Sequence, residues 1–195
     1  MPKDASVEWA ASVFKDYDPN SAPAPHRLPG AGSDRSLFRL FLPAGTVILV
    51  ENPLPPSEGP NENDSFAYLA AHLRARGLPA PEVHAYDRDL GIYLLEDLDD
   101  DDLFGKVRVG LGEEELRSLY RDGVALLARL QVEALEGLDT GRLHSPPRYD
   151  GELMLQWESG YFQREFLDHL LGMGGPPPAL AGEFERLAAR ASQAR

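Results

Sequence analysis

Two short stretches carry residue types that could do chemistry. "PGAGSDRS" (29–36) sets Gly30, Ala31 and Gly32 beside the hydroxyls of Ser33 and Ser36, with Asp34 and Arg35 between them. Small residues let a turn bring backbone N–H groups close to an anion, and a concave run of such amides can hold a phosphate. Arg35 could add positive charge. A plain hairpin turn is the other reading of the same residues. The second stretch, "GIYLLEDLDDDDLF" (91–104), begins as a buried strand and ends in Glu96, Asp97 and then Asp99 to Asp102. A metal site, a disordered acidic tail and a linker between lobes would each be written this way.

The acid run lacks the spacing and the distal glutamate of a calcium loop. A disordered tail would be badly placed in mid-chain, between ordered elements. A linker fits better. The strand Gly91–Leu95 would be the last of a sheet, and the chain would then leave the core, expose its carboxylates to water and enter a helical lobe. Other chemistry finds little support. His26, His72, His84, His144 and His169 form neither an H-E-x-x-H nor an H-x-D pattern. There is no G-x-S-x-G elbow, Walker A loop or G-x-G-x-x-G turn. The absence of cysteine excludes disulfides, thiolate metal sites and cysteine nucleophiles.

The elements that must position these stretches can be read from periodicity. Residues 6–17 place Trp9, Val13 and Tyr17 on one helical stripe, with Ser6 or Asp4 as candidate caps. A β-rich stretch comes next, in which "LFRLFL" (37–42) and "TVILVE" (46–51) flank a Pro-Ala-Gly turn. The proline-rich segment 52–64 reads as a loop, and 64–77 as a helix with Phe66, Leu69, Ala70 and Leu73 on one face. "PEVHAYD" and "LGIYLLE" are two more strands. Beyond the acid run lie helices only: 112–135, 151–172 with a break or kink near Gly160, and 176–195 with prolines near its start. The two tryptophans, Trp9 and Trp157, read as core side chains. Strands and one helix followed by helices alone describe an α+β lobe and then a helical lobe.

At 195 residues and 43% hydrophobic content, the chain can bury a core in one domain or two small lobes. A net charge of −13 argues against a nucleic-acid-coating surface and against an anionic-membrane binder. The N-terminus has no apolar segment like that of a signal peptide, and no run is long enough to span a bilayer. A cytoplasmic protein is the default expectation.

Taken together, "LPGAGSDRSLFRLFL", "TVILVENPLPP", "LPAPEVHAYDRDLGIYLLEDLDDDDL" and "PPRYDGELMLQWESGYFQREFL" resemble the aminoglycoside/choline-kinase-like phosphotransferases. The resemblance is greatest to the branch of bacterial N-acetylmuramate/N-acetylglucosamine anomeric kinases, and "LLEDL" is its most specific part. It implies a protein-kinase-like α+β fold. Residues 1–25 would be an N-terminal helix and loop, 26–95 a small β-rich N-lobe with one main helix, 96–111 an acidic hinge, and 112–195 part of a helical C-lobe. It also implies ATP and Mg²⁺ as cofactors and a small-molecule hydroxyl as acceptor, with an amino sugar favoured.

By the same resemblance the backbone of Glu96, Asp97 and Leu98 would hydrogen-bond adenine, and the remaining acids would lie at the mouth of the cleft. Ser33, Asp34, Arg35 and Ser36 would cover the phosphates. Val47 with Leu49, or the opposite face with Ile48, would roof the base. Kinases usually carry a third-strand lysine, which "TVILVEN" lacks, so phosphate charge would fall to Mg²⁺ and to Arg35 or Arg39. The family's catalytic H-x-D-x-x-x-x-N loop and second metal-binding aspartate do not occur in these residues. No catalytic residue and no metal ligand is therefore expected in this chain, and alone it should not transfer phosphate at a useful rate. Truncation, a split partner supplying the remainder, or a degenerate kinase-like binding module would each account for this, and a chain ending in a helix without a stop signal favours truncation. Uncovered helical faces would then drive self-association.

Overall fold

The computed structural model describes residues 1–29, 35–146 and 148–193. It divides into two units, Met1–His144 and Ser145–Arg195. The first unit is built on a five-stranded sheet: β1 (His26–Arg27), β2 (Ser36–Leu42), β3 (Gly45–Glu51), β4 (Val83–Asp87) and β5 (Ile92–Glu96). Their spatial order is β1-β2-β3-β5-β4, and every neighbouring pair is antiparallel.

Alternation along β3 explains why "VILVE" is buried throughout, because side chains at successive positions point to opposite faces and both faces are covered. Val47 and Leu49 join Phe38, Leu40, Ile92 and Leu94 in one cluster, against which α1 (Asp4–Val13) packs Val7, Trp9 and Val13. Ile48 and Val50 join Tyr93 on the other face, with Phe66 of α2 (Glu62–Arg74) packed against them. The Phe66 and Tyr93 rings stack with centroids 5.3 Å apart.

Helix α1 is shorter than its apolar stripe implies. It ends at Val13, so Tyr17 reaches the core from outside the helix. Neither Ser6 nor Asp4 caps it. The Lys3 amide just before its first turn instead donates to Glu51 Oε1 at 2.8 Å. Helix α2 begins two residues earlier than its periodicity indicates, because Asn61 and Asp64 close a reciprocal capping box. A buried amide pair then ties its first turn to the end of β3. Asn52 Nδ2 donates to Asn63 Oδ1 at 2.7 Å, and Asn63 Nδ2 returns to the Asn52 carbonyl at 2.9 Å.

The segment after β5 is not a featureless linker. It contains α3 (Leu103–Val109), which Asp102 caps through the Gly105 amide at 2.5 Å. Helix α4 (Glu113–Glu133) comes next and buries none of its residues. Its far end meets the end of α2. His72 Nε2 lies 2.8 Å from the Ala134 carbonyl, and Arg76 donates to the Glu136 carbonyl.

In the second unit, α5 (Gly151–Met154) runs on through Gly160 without a break, contrary to the kink expected there. Gly160 keeps helical dihedrals, and the irregularity is a widening to π-helical turns over Leu155–Ser159 and Phe162–Leu170. Helix α6 (Pro178–Ala191) places Phe184 edge-on to Phe162, and Leu153, Leu167 and Ala188 are buried. Trp157, expected in a core, is exposed. No helix among the described residues is long and apolar enough to cross a membrane.

Candidate functional site

Strand β5 delivers the acid run to the end of the sheet, where charge pairing shapes the chain. Glu96 donates its backbone N–H to the Glu82 carbonyl at 2.9 Å, while its carboxylate accepts from the Glu82 amide and from Arg74. Asp97 turns its side chain back over the sheet to Arg39 in β2. Arg39 Nε donates to one Asp97 oxygen at 2.5 Å and Nη2 to the other at 3.0 Å. The same guanidinium donates to Asp100 at 3.0 and 2.9 Å, so residues 97–100 form a strap pinned to β2. Asp101 pairs with Lys106 at 2.8 Å, and Asp102 caps α3.

Asp99 to Asp102 face water as expected, while Asp100 and Asp101 also pair with cations, Asp102 caps a helix and Asp97 is drawn in against Arg39. The reason is visible in β2. A guanidinium in the middle of Leu37-Phe38-Arg39-Leu40-Phe41 is costly to bury without a carboxylate. The Arg39 side chain is 14% exposed and that of Asp97 only 4%. Hydrogen bonding from Arg39 holds the Asp97 carboxyl below its usual range, against the opposing effect of burial, with Thr46 and the Asp99 amide assisting. Arg39 is correspondingly pushed above its already high value by Asp100 and Asp97.

Leu98 lies between these anchored aspartates. The residue is 63% exposed, and among the described residues its backbone N–H has no hydrogen-bond partner. Asp99, directly after it, has a left-handed backbone (φ +61°), uncommon for a residue with a Cβ, and donates its N–H to Asp97 Oδ1 at 3.0 Å.

Of the residues expected over a phosphate, Ser33 and Asp34, with Gly30 to Gly32, lie outside the described residues. Ser36 opens β2 opposite Glu51, and Arg35 just before it forms an ion pair with Glu62 at the start of α2. Arg35 is thus a neutralised cation, and Arg39, the other expected source of phosphate charge, is fully engaged by the strap. Of the two faces expected to roof the base, alternation turns that of Val47 and Leu49 toward α1, where both are buried in the core, and leaves that of Ile48 on the α2 side. Leu28, Leu37 and Leu95 pack against the cluster of Ile48, Val50 and Tyr93 on that face.

The register sets how far the two ends lie apart. Glu96 pairs with Val47 and Ser36 with Glu51, so the two lie four steps apart along β3 and on its opposite sides, roughly 16 Å in all. An extended nucleoside triphosphate covers a comparable length. Among the described residues no group of three or more histidine, aspartate or glutamate side chains could hold a metal ion. A separate groove of about 570 Å³ lies between α2, Tyr86 of β4 and Arg142, lined also by Asp64, Ala67 and Tyr68. It contains none of the residues of the strap.

Sequence reasoning missed the Arg39–Asp97–Asp100 cluster and the Arg35–Glu62 pair. The signal for the first was present, as one arginine in an otherwise apolar strand. Its partner lies 58 residues away, and periodicity carries no information at that separation.

The family model described as the phosphotransferase enzyme family matches residues 26–193. No curated protein matches the chain.

Proposed function

Because the chain belongs to the phosphotransferase enzyme family, we propose that it forms the nucleotide-holding part of an ATP-dependent kinase acting on a hydroxyl of a small molecule, with an amino sugar favoured. The observation that carries this reading is the open Leu98 amide on a strap fixed at the end of the sheet. In this reading 26–95 acts as the N-lobe, 96–111 as the hinge and 112–195 as part of the helical lobe. Leu98 donates its N–H to a ring nitrogen of the base, and a carbonyl of the 96–98 backbone accepts from the exocyclic amine. Asp97 takes part through its backbone alone, since its carboxylate belongs to Arg39. Ile48 replaces Val47 above the base. Arg35 and Ser36 lie on the phosphate side in this reading, and Glu62 holds Arg35 in place.

The residues described do not fit a Mg²⁺ site, because the carboxylates after β5 are committed to Arg39, Lys106 and the α3 cap. No step of transfer is routed through them. This chain's residues bind and orient, and proton removal from an acceptor hydroxyl falls to no residue identified in it. Commitment of those acids to structural pairing favours a second reading, a non-catalytic nucleotide- or partner-binding module.

The test is a titration of the ¹⁵N-labelled chain with ATP, with and without Mg²⁺. A saturable shift of the Leu98 amide is expected, and an unmoved Leu98 signal would remove the nucleotide reading. Equal affinity in EDTA and in Mg²⁺ would favour the binding module over the kinase.

A further inference from the structure

The arc from Asp97 to Asp100 is tied at both ends to a single side chain. Asp97 and Asp100 grip one guanidinium, and Leu98 sits between them. A guanidinium is planar and its donors diverge at fixed angles, so two carboxylates bound to it hold a fixed separation. Asp97 also accepts from the Asp99 amide, which ties the arc to itself. The left-handed Asp99 is the bend this closure demands. Arg39 is rooted in mid-β2 opposite Ile48, on the sheet face that the nucleotide reading assigns to the base. Arg39 thus fixes the two residues that flank the Leu98–Asp99 segment.

We infer that Arg39 is a positioning residue whose clasp on Asp97 and Asp100 gives the strap its base selectivity, favouring a purine edge with a ring acceptor beside an amine. The inference rests on the proposed nucleotide binding at Leu98. Adenine offers an acceptor nitrogen next to an amino donor. Hypoxanthine offers the reverse, a ring N–H next to a carbonyl oxygen. Against a fixed arc, the hypoxanthine N–H meets the Leu98 N–H donor to donor, and both are left unpaired, which is the costly case for polar groups removed from water. A strap freed from Arg39 can rotate its peptide groups to present a carbonyl instead, and the distinction between the bases then disappears.

The experiment compares ATP with ITP, which differ only at this edge, by calorimetric titration of the full chain. The wild type is expected to prefer ATP on the order of ten-fold. Arg39→Met should bring the two affinities to within about three-fold. Asp100→Asn, at an exposed position that carries little folding risk, should give an intermediate ratio and serves if Arg39→Met does not fold. General loosening would weaken both nucleotides together and leave their ratio unchanged. A wild type that binds neither nucleotide removes the nucleotide reading and this inference with it. A wild type that binds both equally, or variants that keep the wild-type ratio, overturns the inference alone and leaves nucleotide binding standing.

Discussion

Single residues in this chain matter chiefly where polar groups are buried. Asn63 is 1% exposed and exchanges hydrogen bonds with Asn52 across the junction of β3 and α2. Asn63→Ala should lower unfolding free energy by about 1–3 kcal/mol, because Asn52 Nδ2 would remain buried without an acceptor. Urea denaturation measures this, and an unchanged midpoint would show that water replaces the lost partner. Tyr86 gives a pH-dependent counterpart. Burial, and then its hydrogen bond to Asp64 at 2.9 Å, push its phenol above the usual value. The folded state therefore holds the proton more tightly than the unfolded chain. That contribution is whole below pH about 10 and is lost as pH rises through the folded value. Stability should fall more steeply above pH about 10 in the wild type than in Tyr86→Phe. Asp97 runs the other way, since its lowered carboxyl contributes above the unfolded value near 3.9 and loses that contribution as pH falls. The residue types at these positions could be read from the sequence, but their partners could not.

At the scale of elements, the ends of helices and turns were harder to read than their middles. The run Pro60-Asn61-Glu62-Asn63-Asp64 reads as a loop, since asparagine and aspartate favour turns as much as caps. In the fold the same residues close the capping box that starts α2. Asn61→Ala should cost about 1 kcal/mol and raise hydrogen exchange in the first turn of α2, with the last turn less affected. The β4–β5 turn depends on Gly91 (φ +65°), where an added Cβ would lie 2.7 Å from the Pro53 Cα and 2.8 Å from the Asn52 carbonyl oxygen. Both obstacles are backbone, and the left-handed conformation alone costs roughly 1–2 kcal/mol for a residue with a Cβ. Gly91→Ala should therefore unfold at clearly lower denaturant than the wild type, and an equal midpoint would mean that the loop at Pro53 gives way freely. The middles of β2, β3, β5 and α2 were legible because their periods are local. Capping and close backbone approach involve one or two atoms and leave only a faint mark on composition.

The whole molecule is marked by uncovered apolar surface on α4. Tyr120, Val124 and Leu127 are each more than half exposed, on a helix whose apolar face was expected to lie uncovered. Light scattering should show association that grows with protein concentration, as exposed patches of this kind do. A constant monomer mass at high concentration would count against it. The order of β2 to β5 with α1 and α2, and the helices beyond the acid run apart from α3, were determined by the sequence alone, because they arise from the pattern of neighbouring side chains. So was the resemblance to phosphotransferases, which the family match to residues 26–193 supports. What only the tertiary structure decided is which charges meet. The acids after β5 read as a linker from their spacing and mid-chain position, and their charge partner appears only when Arg39, far earlier in the chain, is seen between Asp97 and Asp100. Coulomb pairing depends on distance in space, and a carboxylate carries no record in the sequence of the cation that the fold brings to it.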